Sequence, residues 1–363
     1  MCHRERRKPV VILLRSVETP PLPPPPPPPA PRRRIHLILL AATFVTLTMA
    51  GAWFWADTGL TDWGWEMLSP RVLVQGLPYA LLVLLILGAH ELGHYFACRF
   101  YGVHATLPFF IPGLPMPIGT FGAVIRIRSQ IPSRRALFDI AAAGPIAGFA
   151  IALPVLAIGV AFARPMPTTA EPHGMFLGPP LVSWLLERVF HGDANLQVGP
   201  IYGAAWVGML VTSLNLLPVG QLDGGHVVYA LFGRWHGRIA RLFFVVVLAM
   251  GFLGWEGWFV WAAMLAFALG VQHPDTLDHD TPLDPRRKLA AWLTIGVFLL
   301  TFMPVPLSVV RKGPTEAARE MPRRSRPRTP PAPQDDTDAH GRHLQDIRLN
   351  GESWLAIGYP ASA

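Results

Sequence analysis

Six apolar stretches, residues 35–55, 72–100, 137–162, 201–217, 242–270 and 289–309, restrict this chain more than any other feature of its sequence. At 1.5 Å per residue each approaches or exceeds the roughly 30 Å thickness of a bilayer's hydrocarbon core. A backbone in lipid must satisfy its own hydrogen bonds, so such runs fold as helices. The composition agrees: 51% hydrophobic and 15% charged residues is the balance of a membrane protein, not of a soluble domain. The expected fold class is an all-α polytopic membrane protein, with six or seven transmembrane helices and a small membrane-associated β-element. The count turns on residues 242–270, where Gly254-Trp255-Glu256-Gly257 is read as a hairpin between two short helices rather than a strained point in one long helix.

The charge pattern excludes one obvious partner. A formal charge of +8 could suggest nucleic acid, but the basic residues crowd into the two tails and the ends of the apolar runs. That pattern orients a protein in a membrane, so the lipid bilayer and no nucleic acid is expected as partner. Residues 1–34, with the proline run from Pro23 to Pro29 and Arg32-Arg33-Arg34, are expected to form a disordered tail. Residues 312–363, rich in arginine and proline, are expected to be a second one. Between them lies a membrane domain, 35–311, with its core at 72–307. Ala50-Gly51-Ala52 resembles a signal cleavage site, yet the long basic region before it favours an uncleaved first span. Arginines before that span put the N-terminus in the cytoplasm, and Arg99, Arg126, Arg128, Arg134 and Arg135 keep the next charged loop there. A multi-pass protein of the cell membrane is the expected location.

One apolar stretch carries chemistry. The run Leu81-Leu82-Val83-Leu84-Leu85-Ile86-Leu87 leads into His90-Glu91-Leu92-Gly93-His94. Histidines at i and i+4 share one helical face and can reach one metal ion, while a glutamate at i+1 can reach the attacking water as general base. Ionisable groups inside a membrane helix cost several kcal/mol, which makes them functional by default. Counting spans places His90 and His94 towards the cytoplasmic leaflet. Cys2 and Cys98 are the only cysteines, so no thiolate metal site can be built, and Cys98 is read as a small buried apolar side chain.

Two histidines leave a catalytic zinc one protein ligand short. Asp223 fits, because the stretch 201–217 returns to the same leaflet and Pro218, Gly220 and Gly224-Gly225 should break the helix just after it. Broken backbone at membrane depth is tolerated where it is buried in protein or lines a watery cavity. On this segment alone, Asp223 could equally cap the following helix beyond an ordinary surface turn.

With both pieces in view the chain resembles the site-2 protease family of intramembrane zinc metalloproteases, peptidase family M50, in which H-E-x-x-H in one span is followed by N-x-x-P and L-D-G in a later one. Here these are His90 to His94 and Asn215 to Gly224. The resemblance implies that His90, His94 and Asp223 hold Zn2+, that Glu91 activates water, and that Asn215 binds or polarises the substrate carbonyl. It further implies a transmembrane protein substrate, cut within or beside its span. Many bacterial relatives insert a PDZ domain between the motifs, and residues 102–200 contain no soluble stretch large enough for one. Gly119 to Arg128 alternates like a strand, and in the family a β-element near the metal pairs with the extended substrate. Many members carry asparagine where this chain has Gly148; Ala141 to Gly148 is read as a small helix-packing face, entered through a cap at Ser133.

Other polar residues receive plainer readings. Asp139 is expected to pair with Arg135 one turn earlier, and His226 to lie near Asp223. His273, Asp275, Asp278, His279 and Asp280 are expected to form a solvated loop. The rival functions are a membrane transporter, with the broken segment binding an ion, and a scaffold that binds membrane proteins without cutting them. No inverted repeat of the broken segment supports the first; the full ligand set with Glu91 argues against the second.

Overall fold

The computed structural model describes residues 33–57, 64–114, 118–165, 174–269, 281–310, 344–349 and 352–357. Residues 1–32, the loop around His273 to Asp280 and most of the C-terminal tail lie outside them. The chain divides into two units, Met1–Met166 with Pro179–Pro304, and Pro167–Gly178 with Val305–Ala363.

The first unit is helical. Helix α1 (Arg33–Ala50) runs on through a wider, π-type turn at Gly51–Trp55, and α2 (Pro70–Phe100) starts on a proline at its first position. Then come α3 (Arg134–Ala161), α4 (Leu181–His191), α5 (Pro200–Asn215), α6 (Asp223–Phe232) and α7 (His236–Leu253). The last two are α8 (Gly257–Met264) and α9 (Pro285–Thr301). Residues 33–55, α2, α3 and α7 are each long and apolar enough to cross a membrane. Helix α2 shows why lipid is their solvent: Val83, Ile86 and Leu87 are buried, yet Leu81 and Leu85 on the opposite side are more than half exposed. A helix apolar all round needs an apolar surrounding.

Close approach, rather than a soluble-type core, joins these helices. Helix α2 packs on α3, and both pack on α5. A Cβ at Gly93 would lie 2.5 Å from the carbonyl oxygen of Ala143, and one at Gly208 would lie 2.7 Å from Ile86. Likewise Gly76 meets the backbone of Thr48, where a Cβ would be 2.0 Å from its carbonyl. Small residues at such crossings are how helices associate where no hydrophobic effect drives them together. Helix α3 begins as expected: the Ser133 side chain accepts from Ala136 N at 3.2 Å. Helices α7 and α8 form the expected hairpin. Phe259 folds back onto α7, its ring 4.8 Å from Phe252 and pressed against Gly251, contacts impossible along one straight helix.

Strands β1 (Phe109–Pro112) and β2 (Thr120–Val124) pair antiparallel, with Phe109 opposite Val124 and a register shift at Ile111 and Pro112. The ribbon continues through a bridge between Ala105 and Ile127. Arg126 O and Arg128 N bond back towards Thr106 and His104, so the backbone groups of Ile125 and Ile127 point to the opposite edge, which pairs with no strand among the described residues. Two-residue strands β3 (Arg164–Pro165) and β5 (Leu196–Gln197) also pair.

In the second unit β4 (Gly174–Leu177) pairs with β6 (Leu307–Val310), and β7 (Leu344–Leu349) forms an antiparallel hairpin with β8 (Glu352–Ile357). That hairpin stands where the sequence suggested an unstructured tail.

Candidate metal centre

The site begins with one regular helix. In α2, His90 and His94 are one turn apart, and their rings meet edge to face with centroids 5.0 Å apart. Both are buried, as is Glu91 between them. The His94 Nδ1–H donates to the carbonyl of Ile140 on α3 at 2.7 Å, which turns Nε2 inward.

The third member arrives through broken backbone. Helix α5 stops at Asn215, the chain turns through Leu216 to Leu222, and α6 starts at Asp223. Gly220 adopts φ +57°, a left-handed conformation suited to glycine. The turn folds tightly on itself: a Cβ at Gly224 would stand 2.0 Å from the Leu216 carbonyl oxygen, and one at Gly225 2.3 Å from that of Gly220. Only glycine fits at either position. Leu222, not Asp223, occupies the N-cap of α6, and no side chain caps it. The Asp223 carboxylate instead reaches α2, with Oδ2 3.3 Å from His90 Nε2 and 3.2 Å from His94 Nε2. The capping alternative for Asp223 is therefore set aside. One ligand atom from each of the three residues lies within 4.8 Å of the others, the one such group among the described residues.

This donor set fits a zinc ion. Four ligands at zinc's usual bond lengths of about 2.0–2.1 Å sit about 3.3–3.4 Å from one another, close to the 3.3 and 3.2 Å separations found here. The hydrogen bonds agree. With Nδ1 of His94 carrying the proton, its Nε2 presents a lone pair in the neutral ring. The Asn215 amide Nδ2 lies 3.3 Å from His90 Nε2. A ring lone pair facing a carboxylate oxygen is complementary to a cation.

Of the residues singled out in the sequence, His90, His94, Asp223 and Asn215 converge here. Glu91 is one position along α2, and the Ile125 backbone N–H at the open strand edge faces its carboxylate. Cys98 is fully buried against Val103 and Ile140, as its apolar reading expected. Asp139 does not pair with Arg135, whose Nε reaches the Pro282 carbonyl; it pairs with Arg287, 148 residues away. Local spacing offered Asp139 a neighbour, but the bidentate guanidinium of α9 makes the stronger contact.

Sequence reasoning missed what stands behind the histidines. A Cβ at Gly144 would fall 2.1 Å from His94 Nε2, and one at Gly148 3.1 Å from both Cβ and Nδ1 of His90. These glycines, four apart on one face of α3, leave the room the imidazoles occupy. The signal was present in the small-residue run, which was read only as helix packing.

Fold and site together define a helical, membrane-type protein whose buried two-histidine, one-carboxylate cluster adjoins a glutamate and an open strand edge. Residues 78–254 match the model of peptidase family M50. It is 30% identical over 244 residues to "Probable zinc metalloprotease EGY2, chloroplastic" of Arabidopsis thaliana, covering 66% of this chain and 43% of that protein. It is 33% identical over 250 residues to "Probable zinc metalloprotease EGY1, chloroplastic" of the same plant, covering 66% and 45%. The chain thus spans less than half the length of these relatives. No solved structure matches it.

Proposed function

We propose that the chain is an intramembrane zinc metalloprotease that hydrolyses a peptide bond within or next to a transmembrane segment of another membrane protein. The observation that carries this reading is the meeting of His90, His94 and Asp223 at one buried point, two of them from a membrane-length helix. These three residues would hold Zn2+. The ion, when bound, supplies Lewis acidity that makes water nucleophilic near neutral pH and polarises the scissile carbonyl. Glu91 takes the proton that water loses on attacking the carbonyl carbon, then gives it to the departing amine nitrogen as the C–N bond breaks. The Asn215 amide, beside His90, donates to the substrate carbonyl oxygen.

The open edge at Ile125 and Ile127 supplies the other requirement. A protease holds its substrate extended, and strand addition bonds backbone to backbone without demanding a sequence. Because the Glu91 carboxylate accepts from the Ile125 N–H, a strand added beyond it at Ile127 passes beside the general base. A transporter needs no such edge, which favours the protease. Substrate helices that unwind readily, with Gly or Pro near the cut, are expected to be preferred.

In the bilayer, α5 and α9, of 16 and 17 residues, and the shorter α8 would join the four long spans to give six or seven crossings. The arginines flanking α1 and α3 support a cytoplasmic N-terminus and a site towards the cytoplasmic leaflet of the cell membrane. The test is cleavage of single-span substrates by detergent-purified protein and its Glu91→Gln variant, with product masses and zinc content measured. Wild type is expected to cut within or beside the span. The variant should keep its zinc and lose about 10²–10⁴-fold in rate. Cuts confined to soluble segments far from the span would contradict the proposal.

A further inference from the structure

The strongest polar cluster outside the metal centre joins three helices at one point. The Arg287 guanidinium, in the first turn of α9, donates from Nε to both Asp139 oxygens at 3.0 Å and from Nη2 to Oδ2 at 2.7 Å. Its Nη2 also reaches the Tyr101 hydroxyl, just past the end of α2, at 3.1 Å. That hydroxyl donates in turn to Asp139. Asp284 caps α9, accepting from Arg287 N at 3.1 Å, and its second oxygen takes Nη1. The guanidinium holds the half-buried Asp284 carboxyl below the usual carboxylate range.

Asp139 immediately precedes Ile140, whose carbonyl receives the His94 Nδ1–H. The Ile140 side chain packs with Cys98 and Val103, and Tyr101 and Ile125 lie against the same cluster. On the same stretch of α3, Phe138 and Ala142 share a core with Val227 of α6 and Ala291 of α9. The clamp therefore fixes α3 one residue from the group that sets the orientation of a metal-binding imidazole. Partially exposed ion pairs contribute little to stability, so the geometry it imposes matters more than its energy. Bidentate guanidinium–carboxylate contacts supply that kind of geometric restraint.

We propose that Arg287 is a positioning residue for the metal centre: through Asp139 and Tyr101 it holds the Ile140 carbonyl against His94, and so sets the direction of His94 Nε2. This rests on the reading of His90, His94 and Asp223 as metal ligands. It assigns α9, which contributes no ligand, a part in metal binding.

The test is titration of chelator-stripped, full-length protein in detergent with Co2+. Affinity and visible ligand-field bands are read together with thermal unfolding of the same samples. Arg287→Gln and Asp139→Asn are expected to weaken Co2+ binding about tenfold, at the low end for groups supporting a metal ligand, and to alter the bands. Asp284→Ala removes the helix cap and the Nη1 contact but leaves the Nε and Nη2 contacts to Asp139, and is expected to lower Tm with a smaller loss of affinity than Asp139→Asn. If Arg287→Gln does not fold, Asp139→Asn, which keeps the side-chain shape, decides. Wild-type affinity and bands in Asp139→Asn, or equal weakening in Asp284→Ala, would overturn the proposal. Wild type that binds no Co2+ would overturn the ligand reading itself, a result distinct from failure of the clamp alone.

Discussion

The two halves of the candidate metal centre are built in opposite ways. Helix α2 delivers His90, Glu91 and His94 by regular helical spacing alone. The turn between α5 and α6 delivers Asn215 and Asp223 by abandoning regular structure, with Gly220 at positive φ and two glycines whose lost side chains let the backbone fold on itself. A helix sets the direction of a side chain within one turn. A break sets the distance between residues eight apart, and it can turn a carboxylate back towards a neighbouring helix. A site that needs ligands from two helices at one depth uses both devices.

The largest effect should come from removing either half. His94→Ala and Asp223→Ala are both expected to abolish stoichiometric zinc binding, measured by metal analysis of purified protein. Zinc retained in Asp223→Ala alone would show that the break is not part of the centre. Next, Gly144→Ala places a methyl where His94 Nε2 stands and should weaken metal binding by about 10–100-fold. Gly148→Ala, whose Cβ would sit 3.1 Å from His90, demands a shift of only tenths of an ångström and should cost less. The smallest effect on metal is expected from Gly224→Ala. There the clash is with the Leu216 carbonyl inside the turn, so the variant should lose about 1–3 kcal/mol of stability by thermal unfolding, with a smaller loss of zinc affinity. Metal loss in Gly224→Ala exceeding that in Gly144→Ala would reverse the order and make the turn the more delicate half.

How far each region could be read from sequence follows from the same contrast. The α2 triad was legible because a helix converts spacing into geometry, and the long spans because apolar length is a local property. The break at Pro218 to Gly225 was legible as a break. Its outcome was not, since a cap at Asp223 and a reach across to α2 share the same residues. Glycines 144 and 148 announced close packing without saying against what; that depends on two imidazoles 50 or more residues earlier. Asp139 was assigned to the nearest cation in its own helix, whereas its partner stands on α9. The alternation from Ala123 to Arg128 reveals the end of β2 and its continuation to the bridge at Ile127. The β2 partner Phe109-Phe110-Ile111-Pro112 does not alternate and was missed.

The most direct test of the central claim, that two helices and one break supply the ligands of a single zinc, is X-ray absorption at the zinc edge of purified full-length protein. Two imidazole nitrogens and oxygen donors at about 2.0–2.1 Å, with no sulfur, are predicted. Absence of zinc, or a sulfur shell near about 2.3 Å, would contradict it.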